Sequence, residues 1–137
     1  MSVKDLYPLA ENAPDRVKTP TGKLLSDITL DAVLAGEVTA ADLAITPEAL
    51  HLQAEIALAG GRRTLAENFH RAAELVAIPQ DVIMETYEML RPGRADLEML
   101  HAQADVLRSI YKAELLAKFI EEAATVYERR GIFEKRY

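Results

Sequence analysis

Apolar residues recur at intervals of three and four positions through the last third of the chain. This spacing predicts one long helix over residues 96–130. The first apolar row comprises Val106, Ile110, Ala113, Ala117, Ile120, Ala124 and Tyr127. The second comprises Leu97, Leu100, Ala104, Leu107, Tyr111, Leu115, Phe119 and Ala123. Two apolar rows on one helix indicate that more than one neighbour covers it. The neighbours are either an ordinary core with an alanine-rich flank or a partner chain, and we expect contact with a partner chain.

Capping residues predict shorter helices earlier in the chain. Thr29 begins a helix through Leu34, with Gly36 as its stop, and Thr39 caps a single turn. Thr46 and Pro47 begin a helix that runs to about residue 59 and ends at two glycines.

Two more helices are predicted between these and the long one. The first begins near Arg62 and has one apolar and one polar face. The apolar face comprises Leu65, Phe69, Ala72 and Val76, and the polar face Glu67, His70, Arg71 and Glu74. The second begins at Pro79, aligns Ile83, Tyr87 and Leu90, and ends at the Arg91-Pro92-Gly93 break.

The N-terminal residues 1–28 differ from the rest, because they contain Pro8, Pro14, Pro20 and Gly22. Proline lacks an N–H and favours extended geometry in its predecessor. We therefore expect an extended arm with few internal hydrogen bonds, the alternative being a disordered tail. The predicted fold is all-α and a single domain over residues 1–137, with the arm at 1–28 and helices over 29–137.

Composition narrows the function. Half of the 137 residues are apolar and none is tryptophan, which favours closely packed helices. The formal charge of −6 argues against nucleic acid and anionic membranes as partners. The absence of cysteine excludes disulfides and thiolate chemistry and fits a reducing compartment. The start of the chain lacks the apolar stretch of a signal peptide.

Each of the three histidines follows a glutamate by three residues, as Glu48/His51, Glu67/His70 and Glu98/His101. On a helix this spacing places both side chains on one face, and two such pairs with two further carboxylates form a di-iron or di-manganese site. The alternative is a solvated helix face. Since His70 is predicted on the polar face, we expect no metal ligands on this chain.

Four segments carry a resemblance to a known family. They are a run over residues 17–50 that begins V-K-T-P-T-G-K-L-L, then N-F-H-R-A-A-E-L at 68–75, Y-E-M-L-R-P at 87–92 and E-A-A-T-V-Y at 122–127. In this order and spacing, the chain resembles the small subunit of adenosylcobalamin-dependent diol and glycerol dehydratases. The resemblance covers residues 7–130.

The resemblance implies a non-catalytic role in a radical enzyme that converts 1,2-diols or glycerol to aldehydes. In that family the large subunit holds substrate and a monovalent cation, potassium, and the medium subunit helps to hold the cobalamin. The small subunit packs on the large one in a dimer of heterotrimers. The resemblance implies no catalytic, cofactor-binding or metal-binding residue on this chain, and structural or interface contacts for Arg71, Glu74 and Arg91.

The resemblance also bears on location. Some relatives carry an additional amphipathic N-terminal segment that directs the enzyme into bacterial microcompartments, whereas this chain starts a few residues before Tyr7. We therefore expect a cytoplasmic complex. The competing hypothesis is a self-contained helical metalloprotein that uses the Glu-x-x-His pairs.

Overall fold

Short-range caps and tight turns produce a helical fold throughout residues 2–134, the part of the chain that the computed structural model describes. The α-helices are α1 (Leu9–Asn12), α2 (Leu30–Leu34), α3 (Pro47–Ala59), α4 (Arg63–Leu75), α5 (Gln80–Met89), α6 (Leu97–Ser109) and α7 (Glu114–Arg129). The 3-10 turns are Val3–Leu6, Pro14–Arg16, Leu25–Asp27 and Ala40–Leu43. The predicted all-α class is confirmed.

The chain divides after Val76 into two compact units. The interpretation of residues 1–137 as a single domain stays a prediction. No helix within residues 2–134 is both long enough and apolar enough to cross a lipid bilayer.

In the first unit, α3 and α4 pack against each other as a helical hairpin. The predicted caps are confirmed: the Thr46 hydroxyl accepts a hydrogen bond from the Ala49 N–H at 3.1 Å, and Gly61 adopts a positive φ of 75° in the turn. The core between the helices consists of Ala54, Ala57 and Ala66, with Phe69 packed against it. Small residues allow the two backbones to approach closely.

The predicted apolar face of α4 is partly wrong. Leu65 and Val76 are exposed, whereas Ala66 and Ala73 are buried. Because the core between α3 and α4 is built mainly from alanines, the buried row of α4 is the row of small side chains rather than the row of large ones.

The N-terminal arm is also corrected. The predicted extended arm over residues 1–28 is a series of short helical turns, the first of which packs against α3. The Asn12 side-chain amide donates to the backbone oxygens of Asp5 at 3.2 Å and Tyr7 at 2.8 Å. The Asn12 side chain thus supplies hydrogen-bond donors in a part of the chain where prolines lack the backbone N–H.

In the second unit, the predicted long helix over residues 96–130 is two helices, α6 and α7, which pack against each other. The chain turns at Lys112, which has a φ of 57°, and the Ala113 N–H donates to the Leu107 oxygen at 3.0 Å. A left-handed residue in a turn of this kind is usually glycine. No glycine or proline marks the turn in the sequence. The apolar spacing continues across it, and the sequence therefore predicted one helix instead of two.

The packing of α6 against α7 buries about half of the residues in the two predicted apolar rows. The buried residues are Leu100, Ala104 and Leu107 on α6, and Ala113, Ala117, Ile120 and Ala124 at and along α7. Arg108 of α6 joins the two helices through ion pairs to Glu114 at 2.8 Å and Glu121 at 2.9 Å. Helix α5 is joined to this pair by the Tyr127 hydroxyl, which donates to the Leu90 oxygen at 2.7 Å.

Candidate interaction surface

The buried carboxylate of Asp42 organises the loops of the first unit. It lies in the turn Ala40–Leu43 and accepts hydrogen bonds from the Thr19 hydroxyl at 3.1 Å, the Thr21 hydroxyl and the Thr39 N–H at 3.1 Å. The Lys23 ammonium lies 3.2 Å from the same carboxylate. We call this group, Asp42 with Thr19, Thr21, Lys23 and Thr39, the Asp42 cluster.

The environment of Asp42 favours its ionised form. Hydrogen bonds from Thr21, the Thr39 N–H, Lys23 and Thr19 hold the pKa of Asp42 well below its ordinary value, although burial acts in the opposite direction. A carboxylate saturated with donors in this way has no free lone pair with which to act as a base. The arrangement is therefore structural, and it joins the loop at residues 19–23 to the turn that precedes α3.

The Asp42 cluster was not predicted from the sequence. Its members are separated by up to 23 positions, between Thr19 and Asp42. The only local signal was the Thr39-x-x-Asp42 spacing of a capping box, which predicts one of the hydrogen bonds and none of the contacts from the Thr19–Lys23 loop.

The Glu-x-x-His residues are placed differently from the prediction. His70 is half-buried and faces α3, because its Nδ1 lies 3.0 Å from the Nδ1 of His51. One of these nitrogens must carry a proton and the other accept it. Glu67 instead pairs with Arg63 at 3.1 Å, and His101 lies exposed on α6 in the other unit.

The described residues bring no metal site together. Nowhere in residues 2–134 do three or more histidine, aspartate or glutamate side chains converge in a way that would hold a metal ion. The His51–His70 contact supplies two nitrogens, but the glutamates of the two motifs do not complete a ligand set.

Structural or interface contacts were expected of Arg71, Glu74 and Arg91. The Arg71 guanidinium donates to the Asn68 side chain one turn earlier on α4, and Glu74 lies half-buried on the same helix. Arg91 is exposed and pairs with Glu88 at 3.0 Å. The structure therefore brings Arg71 and Glu74 onto one helix and places Arg91 in the other unit, after α5.

The apolar rows predicted as a partner surface are largely internal. Ile120 is only 1 % exposed, and its neighbours along the row, Ala117 and Ala124, are fully buried. Of the same rows, Ile110, Leu115 and Phe119 remain exposed. The expected surplus of apolar surface on this helix is thus much smaller than the periodicity suggested.

The larger apolar surface lies in the first unit, between the Thr19–Lys23 loop and α3. There, exposed large apolar side chains are Leu24, Leu25, Leu30, Val33, Leu34, Leu43 and Ile45. We call residues 24–45 the docking segment. Its signal in the sequence was the same run of short, capped turns that carried the family resemblance. Those turns are too short to bury the leucines that they contain.

Comparison with known proteins identifies the family of the chain. The family model described as "Dehydratase small subunit" matches residues 1–134. The propanediol dehydratase small subunits of Citrobacter freundii and of Salmonella typhimurium (strain LT2) are each 53% identical to this chain over 124 residues, which is 90% of this chain and 72% of each relative. An identity of this size across nearly the whole chain shows that it belongs to the dehydratase small subunit family.

Proposed function

We propose that this chain is the non-catalytic small subunit of an adenosylcobalamin-dependent dehydratase, which converts 1,2-diols to aldehydes by a radical mechanism. Its task is assembly with the large subunit. The two relatives are named for propanediol, and this supports a 1,2-diol rather than glycerol as the substrate class.

One observation carries the assembly role. The described residues expose seven large apolar side chains within the docking segment, while the Asp42 carboxylate beside them is held by structural hydrogen bonds. A monomeric protein rarely leaves so much contiguous sequence apolar and exposed without a partner. Exposed apolar surface without reactive groups is what a subunit with a binding role requires.

The cofactor belongs on other subunits in this proposal. Adenosylcobalamin supplies the initiation of the radical reaction when it is bound. In the second unit a concavity of about 750 Å³ is lined by residues 92–96, Met99 and residues 131–134, and it is too open to solvent to enclose a group of this kind. We place the cobalamin and the potassium ion on the large and medium subunits, in a cytoplasmic dimer of heterotrimers, as family membership supports.

The test is coexpression of the three subunits, with an affinity tag on the large one. We expect this chain to copurify in a constant ratio, and its omission to reduce the yield of active complex. The isolated chain should bind a hydrophobic dye or aggregate, since its exposed leucines lack their cover. A monodisperse, sharply melting monomer that fails to copurify would refute the proposal.

The competing metalloprotein hypothesis gains no specific observation from the described residues, where no group of three metal-binding side chains is found. Metal analysis of the purified chain separates the two hypotheses. Stoichiometric iron or manganese would favour the metalloprotein.

A further inference from the structure

The exposed face of α2 is the centre of the docking segment. Leu30, Val33 and Leu34 are 72 %, 46 % and 77 % exposed, and they occupy positions i, i+3 and i+4 of one helix. This spacing places the three side chains on the same face. A single helical turn gains little stability from its own propensity, and the uncovered apolar face of α2 is available for contact with another surface.

The charged residues within the docking segment are all acidic. From Leu24 to Gly61 the sequence contains no lysine or arginine, whereas Asp27, Asp31 and Glu37 are acidic and exposed. These three carboxylates line one concavity of about 540 Å³ beside α2, together with Lys23. Because the Lys23 ammonium is paired with Asp42 at 3.2 Å, its charge is already compensated. The concavity is therefore acidic.

The docking segment is held in shape before it meets a partner. The Thr29 hydroxyl accepts a hydrogen bond from the Ala32 N–H at 3.1 Å and so caps α2. The Asp42 cluster fixes the other end of the segment by the contacts already described. A surface that is ordered in advance loses less conformational entropy on binding.

We propose that the docking segment binds a surface of the large dehydratase subunit that has an apolar centre and a rim of lysine or arginine side chains. The apolar face of α2 meets the centre, and Asp27, Asp31 and Glu37 meet the rim. This inference rests on the proposed function and locates its interface. A second copy of this chain is disfavoured as the occupant, since a symmetric contact would bring the same acidic rims together.

The experiment uses the coexpressed complex with the tag on the large subunit. Leu34→Ser removes an exposed side chain from the centre of the surface, and Leu58→Ser, at a position 59 % exposed outside the docking segment, is its matched control. We expect Leu34→Ser to weaken association by about tenfold or more, as for a central interface residue, and Leu58→Ser to leave it unchanged. Far-UV circular dichroism of both variants checks that the helical content is retained.

A second pair of variants tests the rim. Asp31→Lys combined with Glu37→Lys changes the charge from −6 to −2, as does the control Glu98→Lys combined with Glu122→Lys, whose positions are also exposed. Only the first pair should weaken the complex. Raising the salt concentration should weaken the wild-type complex and have less effect on the Asp31/Glu37 variant.

The outcomes separate this inference from the proposed function. If wild-type chain copurifies and Leu34→Ser and the Asp31/Glu37 variant copurify equally well, the docking segment is not the interface, although the chain is still a subunit. If wild-type chain does not copurify at all, the proposed function itself fails. If Leu34→Ser instead dissolves a dimer of the isolated chain, the surface is a self-contact and the basic partner is refuted.

Discussion

Truncation of Ile120 should unfold the α6–α7 pair rather than remove a contact with a partner. Ile120 is 1 % exposed, and it is among the largest fully buried side chains together with Leu100 and Leu107. Ile120→Ala deletes three carbons, which at about 0.8 kcal/mol each is roughly 2.4 kcal/mol of transfer free energy. The residual cavity brings the expected cost to roughly 2–5 kcal/mol. Aspartate at this position would cost more, since its charge would be buried without a partner.

Urea unfolding followed by far-UV circular dichroism measures this cost. Leu115→Ala is the matched control on the same helix, because Leu115 is 44 % exposed and its truncation should cost under about 1 kcal/mol. The midpoint of Ile120→Ala should fall well below that of the control. Equal midpoints for the two variants would refute the packing of α6 against α7. A normal midpoint for Ile120→Ala together with loss of the complex would show that Ile120 contacts a partner.

Two further predictions concern polar groups of the first unit. Asp42→Asn should be less stable than wild type at neutral pH. Because the folded pKa of Asp42 lies below its ordinary value, wild-type stability from this group is present above about pH 4 and is lost as the pH falls further. The difference in urea midpoint between the two proteins should therefore shrink in acid, and a difference independent of pH would contradict the cluster. His70→Ala should leave the dehydratase activity of the reconstituted complex nearly unchanged, since the His70 ring pairs with that of His51 on α3 and, within residues 2–134, belongs to no group of three metal-binding side chains. Metal that is bound stoichiometrically by the wild-type chain and lost in this variant would reverse that expectation.

Local signals predicted the helix ends well. Thr29, Thr46 and Pro47 begin helices where the sequence indicates, and Gly36 and Gly61 end them with φ values of 77° and 75°. Caps and left-handed glycines act over a few residues, so their effect can be predicted without the rest of the fold.

Two features depended on tertiary contacts that no local signal carries. The turn at Lys112 places a lysine where glycine is usual, and the pairing of α6 with α7 compensates for the strain. On α4, close packing against α3 determines which face is buried, and it buries Ala66 while Leu65 stays exposed. Hydrophobic periodicity identifies a helix, but in an alanine-rich protein it does not identify the buried face.

The candidate surface was partly predictable. The sequence indicated surplus apolar surface and an assembly role, but the wrong helix was expected to supply it. Because the predicted long helix is two helices that pack together, much of each apolar row is buried between α6 and α7. Leucines of short turns such as α2 remain exposed instead.

The absence of lysine and arginine between Lys23 and Arg62 has a consequence for chemical mapping of the complex. Amine-reactive cross-linkers require a lysine ammonium, and trypsin cleaves after lysine or arginine, so neither reagent acts within the docking segment. A lysine cross-linker could report contact at α2 only through Lys23, which lies beside the docking segment and is paired with Asp42. Carbodiimide coupling would address the docking segment, because Asp27, Asp31 and Glu37 present carboxylates that can be joined to a partner's lysines.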